Sequence, residues 1–162
     1  MIIFVEGCDG SGKSTLIKQL SERYPVMRIP RAAEIASLWS DVLRLGRNNT
    51  ILMDRSPLTE LVYRSWENAK SKFGYVNVLT WIRRGKLIYC KTNTSFEDAQ
   101  KRGEDFVTEA KDAEKLQNLY DTMITAMRTD DVRILDYNWR TDSLDKVIDF
   151  IEGGNNNESD AT

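Results

Sequence analysis

The chain has 162 residues, of which 41% are apolar and 30% charged, with a net charge of -2. Such a length and composition predict one globular domain with a single sizeable core, and the near-neutral balance provides no global basic field for non-specific nucleic-acid binding. Histidine is absent, which excludes His-based triads, His general bases and His-containing metal sites.

In chain order, Ile2, Ile3, Phe4 and Val5 form a short apolar run closed by a glycine-rich turn, the pattern of a buried parallel strand. This apolar start is too short, and too soon interrupted by Glu6, to predict a signal peptide or a membrane span. From Lys13 onward, Leu16, Ile17 and Leu20 recur at helical spacing. Residues 26–29 read as a second strand ended by Pro30. Ile35, Leu38, Trp39, Val42 and Leu45 then mark an amphipathic helix stopped by Gly46. Residues 50–53 form a third strand that runs into Asp54 and Arg55. Ser56 and Pro57 follow as N-cap and first helical residue of a helix buried through Leu58, Leu61, Val62 and Trp66.

A short helix around Leu79 and Ile82 stops near Gly85, and residues 87–90 form a fourth strand. Ser95 and Asp98 have the spacing of a capping box, with Asp in place of the preferred Glu. The most regular helix spans residues 108–128 and carries Leu116, Leu119, Tyr120, Met123, Ile124 and Met127 on one face. Residues 132–135 form a fifth strand, and Leu144, Val147, Ile148 and Ile151 mark a closing helix. Residues 153–162 have almost no apolar content and read as a disordered tail. Cys8 and Cys90 lie far apart and form no CxxC pair, which points to a reduced, cytoplasmic-type chain.

Strands alternating with helices predict an α/β fold, a five-stranded parallel sheet with helices on both faces. Ligands of such sheets sit beyond the carboxyl ends of the strands. The loop at residues 7–14, the Asp54-Arg55 pair, and the segments after Cys90 and Leu135 all open onto that edge.

The pattern Gly7-x4-Gly12-Lys13-Ser14 follows a strand and opens a helix, the context a P-loop requires. The glycines, including Gly10, let backbone N–H groups curl around a β-phosphate, and the helix N-terminus adds its positive end. Lys13 is expected on the β- and γ-phosphates of a nucleoside triphosphate, and the Ser14 hydroxyl on Mg²⁺. The bland alternative is a glycine-rich turn that only joins strand to helix. Asp9 sits awkwardly in an anion-binding loop: it answers to a nearby Mg²⁺ or substrate hydroxyl, or it faces solvent and helps the loop turn. Cys8 reads as an inert small residue, although a place beside a helix N-terminus is one that lowers a thiol pKa.

On these residues the chain resembles the thymidylate kinases and related deoxynucleoside monophosphate kinases, in particular compact phage-type members of the P-loop nucleotide kinases. The similarity rests on Phe4-Val5-Glu6-Gly7-Cys8-Asp9-Gly10-Ser11-Gly12-Lys13-Ser14-Thr15, on Asp54-Arg55-Ser56, on Lys101-Arg102-Gly103-Glu104-Asp105, and on the helix carrying Tyr120. It implies a P-loop kinase domain over residues 1–152 with a lid near 97–112. It also implies ATP and Mg²⁺ as cofactors, with the donor held by Gly7, Asp9, Gly10, Ser11, Gly12, Lys13, Ser14, Thr15, Arg102 and Arg140.

The resemblance places Asp9 on the acceptor sugar hydroxyl, Arg55 on the acceptor phosphate through its planar fork, and Asp54 with Ser14 at the metal. Lys101 and Arg102 would close over the transferring phosphoryl group, with Gly103 as hinge. The alternatives are a local ion pair between Asp54 and Arg55, and a solvated basic corner at Lys101 and Arg102. Arg140, after the fifth strand, would stack on adenine, with Trp139 beside it as packing. The family's Arg-Glu-Pro-Gly-Gly segment is replaced by Arg28-Ile29-Pro30-Arg31-Ala32, so Arg28 or Arg31 would meet the acceptor and the base preference is left open. Ser11 or Gly10 occupies the family's P-loop arginine position, so the catalytic cation must come from elsewhere, with the lid as the obvious source.

The implied reaction moves the γ-phosphoryl group of ATP onto a deoxynucleoside 5′-monophosphate, dTMP-like, a small-molecule substrate. An acceptor hydroxyl, on a nucleoside or a polynucleotide end, would need a carboxylate base such as Glu34 or Asp9. A polynucleotide would also want a basic, aromatic groove, and Lys70, Lys72, Phe73, Tyr75, Trp81, Arg83 and Arg84 read instead as core aromatics with a solvated rim. A guanine-nucleotide switch would carry Asn-Lys-x-Asp, which this chain lacks. Thymidylate kinases are typically homodimers, which here would use helices between residues 35 and 69.

Overall fold

Strand β1, Ile2–Glu6, is buried along its whole length because it lies in the middle of a sheet covered on both sides. In the computed structural model, which describes residues 1–28, 41–71, 73–91 and 110–153, it is flanked by β3 (Ile51–Asp54) and β4 (Lys86–Cys90). Beyond these lie β2 (Val26–Arg28) and β5 (Ile134–Tyr137), giving the order β2-β3-β1-β4-β5 with every pairing parallel. The α/β fold and five-stranded parallel sheet expected from the sequence are what the chain adopts. Pro30, Arg31, Glu34, Lys72, Ser95, Asp98, Lys101, Arg102, Gly103, the proposed lid up to residue 109 and the tail from residue 154 lie outside the described residues.

Alternate residues of β1 face opposite layers, and the two layers are built differently. Ile2 and Phe4, with Met53, Leu87 and Tyr89, pack under α2 (Pro57–Trp66), α3 (Tyr75–Ile82) and α4 (Ala110–Thr129). Ile3 and Val5, with Leu52, Ile88 and Cys90, pack under α1 (Lys13–Leu20) and α5 (Leu144–Glu152). Residues 41–45 are helical and place Val42 in the first layer, as its periodicity predicts. Phe73 and Trp81 meet edge to face at 4.8 Å inside that same layer, so these aromatics pack into the domain instead of lining a groove.

Ser56 caps α2 as expected: its hydroxyl accepts from the Leu58 amide at 3.1 Å, and Pro57 takes the first helical position. The fifth strand begins two residues later than the apolar run suggests. Asp131 adopts a left-handed φ of 58°, and the Val132 amide donates back to the Met127 carbonyl, closing α4. Val132 therefore packs with the helices, and pairing with β4 starts at Ile134 opposite Leu87. Among the described residues, no helix is long and apolar enough to cross a membrane.

Candidate active site

The carboxyl ends of β1, β3, β4 and β5 lie side by side, and the turn after each contributes to one edge. After β1 the backbone enters left-handed or otherwise glycine-favouring conformations at Gly7 (φ 142°), Gly10 (φ 79°) and Gly12 (φ 88°). A methyl group on Gly7 would lie 2.4 Å from the Cys90 carbonyl oxygen, so the loop presses against the end of β4. The Ser11 amide donates to the Cys8 carbonyl, and α1 then starts with no side-chain cap and no acidic residue in its first turn. Its leading amides are thus of the kind an anion satisfies.

Lys13 is buried and arcs back over this loop, donating to the carbonyls of Gly7 at 2.5 Å and Cys8 at 2.6 Å. Among the described residues, the buried Ser11 hydroxyl has no hydrogen-bond partner. A glycine cradle, an uncapped helix start, a lysine and an orphaned hydroxyl together fit a polyphosphate. Ser14 and Thr15 open α1 and are exposed. Asp54 ends β3 in register with Val5 of β1. A hydroxyl and a carboxylate are oxygen donors suited to Mg²⁺, with phosphate oxygens and water to complete the shell. Among the described residues, no group of three or more His, Cys, Asp or Glu forms a metal cage.

Across from this loop stands Arg55. Its guanidinium lies 3.6 Å from Asp9 and 6.0 Å from the centre of the Tyr63 ring, while the Tyr63 hydroxyl donates to the second Asp9 oxygen at 3.3 Å. Asp9 therefore bridges the phosphate loop to Arg55. Asp54 and Arg55 do not pair with each other. Asp54 accepts from Arg28 Nε at 2.7 Å, so Arg28, one of the two arginines considered for the acceptor, pairs with the β3 carboxylate while its side chain stays largely exposed.

Several residues here were given no role of their own by the sequence. Glu6 is fully buried, and its carboxylate accepts from the Ser56 amide and hydroxyl, the Thr59 hydroxyl and the Tyr120 hydroxyl. Burial raises its pKa, opposed by the hydroxyls of Ser56 and Thr59 and by the charges of Lys13 and Arg55. Tyr63 and Tyr120 are both held above the ordinary phenol range, chiefly by burial and then by the neighbouring carboxylates, so both remain donors. At the end of β4, Lys91 pairs with Asp121 at 3.0 Å, and Asp121 also accepts from Tyr89 and Gln117. The available signal for Glu6 was an acid ending an otherwise apolar strand. Tyr63 was marked only by its place two turns along the helix after Arg55.

After β5, Trp139 lies against Gly12: a methyl group there would meet the indole at 2.5 Å. Arg140 sits over the Trp139 ring at 5.2 Å, so this turn leans on the phosphate loop through the tryptophan. Cys8 is not activated by the helix start, because burial pushes its thiol up to about 12. The inert reading of that residue holds.

No protein-family model matches the chain, and no curated protein matches it either. Solved structures do share its fold. The YorR protein from Bacillus subtilis, in complex with phosphorylated GDP, has a TM-score of 0.69 and 20% identity over 94% of this chain and 94% of its own. A deoxyadenosine kinase from M. mycoides with bound dATP has a TM-score of 0.62 and 18% identity over 94% of this chain and 99% of its own. The same enzyme with its products bound has a TM-score of 0.57, again at 18% identity. At such identities the likeness establishes the fold alone.

Proposed function

We propose that this protein is a Mg²⁺-dependent kinase that transfers the γ-phosphoryl group of ATP to the 5′-phosphate of a deoxynucleoside monophosphate, dTMP-like. The observation that carries this reading is the Asp9–Arg55 contact. It sets a cation suited to phosphate directly opposite a loop suited to a triphosphate, with a carboxylate for a sugar hydroxyl between them. In this reading the loop amides and Lys13 hold the donor, and Ser14 with Asp54 holds the metal. Mg²⁺, when bound, neutralises charge on the donor phosphates. Arg55 grips the acceptor phosphate, and Asp9 takes the 3′-hydroxyl of its sugar. A phosphate acceptor is already ionised at neutral pH, so alignment and charge neutralisation suffice without a general base.

Residues 1–152 would form the kinase domain. Lys101 and Arg102, in a lid near 97–112, would close over the phosphates, with Arg31 at the acceptor. Arg140, carried on Trp139, would border the adenine. A homodimer through helices between residues 35 and 69 belongs to the same reading.

The fold likeness to a deoxyadenosine kinase favours a second reading, in which a nucleoside hydroxyl is the acceptor and Asp9 or Glu34 takes its proton. A coupled assay with ATP over deoxynucleoside monophosphates, nucleosides and 5′-hydroxyl oligonucleotides separates the two. The expected result is turnover with a monophosphate. Turnover only on nucleosides or oligonucleotides replaces the acceptor, and no turnover on any of them sinks the kinase reading.

A further inference from the structure

Glu6 belongs to the strand that leads into the phosphate loop, yet its side chain points the other way, into the layer of α2 and α4. Ile2 and Phe4, four and two residues earlier, face that same layer. There the carboxylate is met by donors from three places: the Ser56 amide at 2.7 Å and hydroxyl at 2.5 Å, the Thr59 hydroxyl at 2.8 Å, and the Tyr120 hydroxyl at 3.2 Å. The desolvation cost of a carboxyl group buried this completely is offset by hydrogen bonds, and here both of its oxygens accept them.

The residue just before Ser56 is Arg55, whose φ of 76° is unusual for a side chain of its size. Two peptide planes set that conformation, and β1 holds both. The Arg55 amide donates to the Val5 carbonyl at 3.1 Å, fixing the plane before it. The Ser56 amide donates to Glu6, fixing the plane after it. Thr59 and Tyr120 keep the carboxylate from turning away. The same carboxylate also stands behind the Ser56 hydroxyl that caps α2, so it steadies the helix carrying Tyr63.

We infer that Glu6 is a positioning residue for Arg55: by pinning the Arg55–Ser56 peptide to the strand that opens the phosphate loop, it holds the acceptor arginine at a fixed distance from the donor site. The inference deepens the kinase reading and rests on it for the role of Arg55, but the pinning itself does not depend on which substrate is used. Glu6 touches no reacting atom.

The test compares Glu6→Met, which removes the acceptor oxygens, with Glu6→Gln, which keeps one where the Ser56 amide needs it. In the full chain, Glu6→Met should raise the acceptor KM by about tenfold or more while the ATP KM stays within about twofold; Glu6→Gln should stay within about threefold on both. The ¹⁵N-correlated Nε–H signal of Arg55, assigned through Arg55→Lys, should broaden or move in Glu6→Met and persist in Glu6→Gln. Should Glu6→Met not fold, Thr59→Val removes a donor that seats the carboxylate and should give a smaller change of the same sign, about threefold in acceptor KM. Acceptor KM and Arg55 signal both unchanged, ATP and acceptor KM rising together, or Glu6→Gln falling with Glu6→Met would each overturn the inference. If no acceptor is turned over at all, the kinase reading fails and the Arg55 signal alone decides the positioning role.

Discussion

The two sides of the sheet edge are built on opposite principles. The side after β1 is continuous in sequence: residues 7–15 supply the cradle, the lysine and the helix start, and its shape is set mostly by the backbone. The side after β3 is assembled from Asp9 of the loop, Arg55 of the turn, Tyr63 of α2 and Glu6 of β1, none adjacent to another in the chain. A backbone cradle needs little beyond glycines and a helix. A side chain aimed across a gap needs others to hold it. The first should therefore fail at one residue, and the second by degrees.

The largest effect expected is on the cradle side. Lys13→Ala should lower kcat with ATP by about a hundredfold or more, since in the proposed kinase reading it removes the charge that meets the transferring phosphates. The fold should persist, because among the described residues Lys13 bonds only to loop carbonyls. Circular dichroism and a thermal melt check the second half of that statement. Near-normal turnover would remove the reason for treating the two sides as donor and acceptor.

The assembled side should show a different signature. Arg55→Ala should raise the acceptor KM by roughly ten- to a hundredfold with little change for ATP, the loss expected for one charged hydrogen-bonding group. Arg55→Gly should show the same kinetic loss without lowering the melting temperature below that of Arg55→Ala, because glycine enters φ 76° freely. Equal effects on both KM values would take Arg55 out of the acceptor site and dissolve the contrast.

That contrast also explains what was legible in the sequence. The alternation of strand and helix, the phosphate loop and the Ser56-Pro57 cap were readable because each is local and each residue's chemistry serves its own neighbours. The fifth strand was placed early because Val132 is apolar for a different reason: it closes α4 against the helix layer, with Asp131 turning the chain. Asp54 and Arg55 were recognisable as candidate site residues, but their partners were not, since Arg28 lies on a neighbouring strand and Asp9 in the loop across the edge. Glu6 left the faintest trace. A single buried acid ending a strand has no periodicity, and its donors are 50 to 114 positions away in sequence.

The smallest expected effect concerns the turn after β5, which supports the cradle from above. Asp142 organises it: its carboxylate accepts from the Asn138 amide at 2.8 Å and pairs with Lys146 at 3.0 Å, on the segment that seats Trp139 against Gly12. The Asn138 amide, and after it Lys146, hold the Asp142 carboxyl below its usual pKa. A depressed carboxylate contributes stability that is present above its unfolded value and is lost as pH falls through its folded one. Asp142→Asn should therefore cost on the order of 1 kcal/mol near neutral pH, and the difference from wild type should shrink in melts taken at increasingly acid pH. A gap that stays constant across that range would mean the charge is not what holds the turn. Because the turn leans on the phosphate loop through Trp139, the ATP KM should rise by about twofold while the acceptor KM stays put, the reverse of the Arg55 signature.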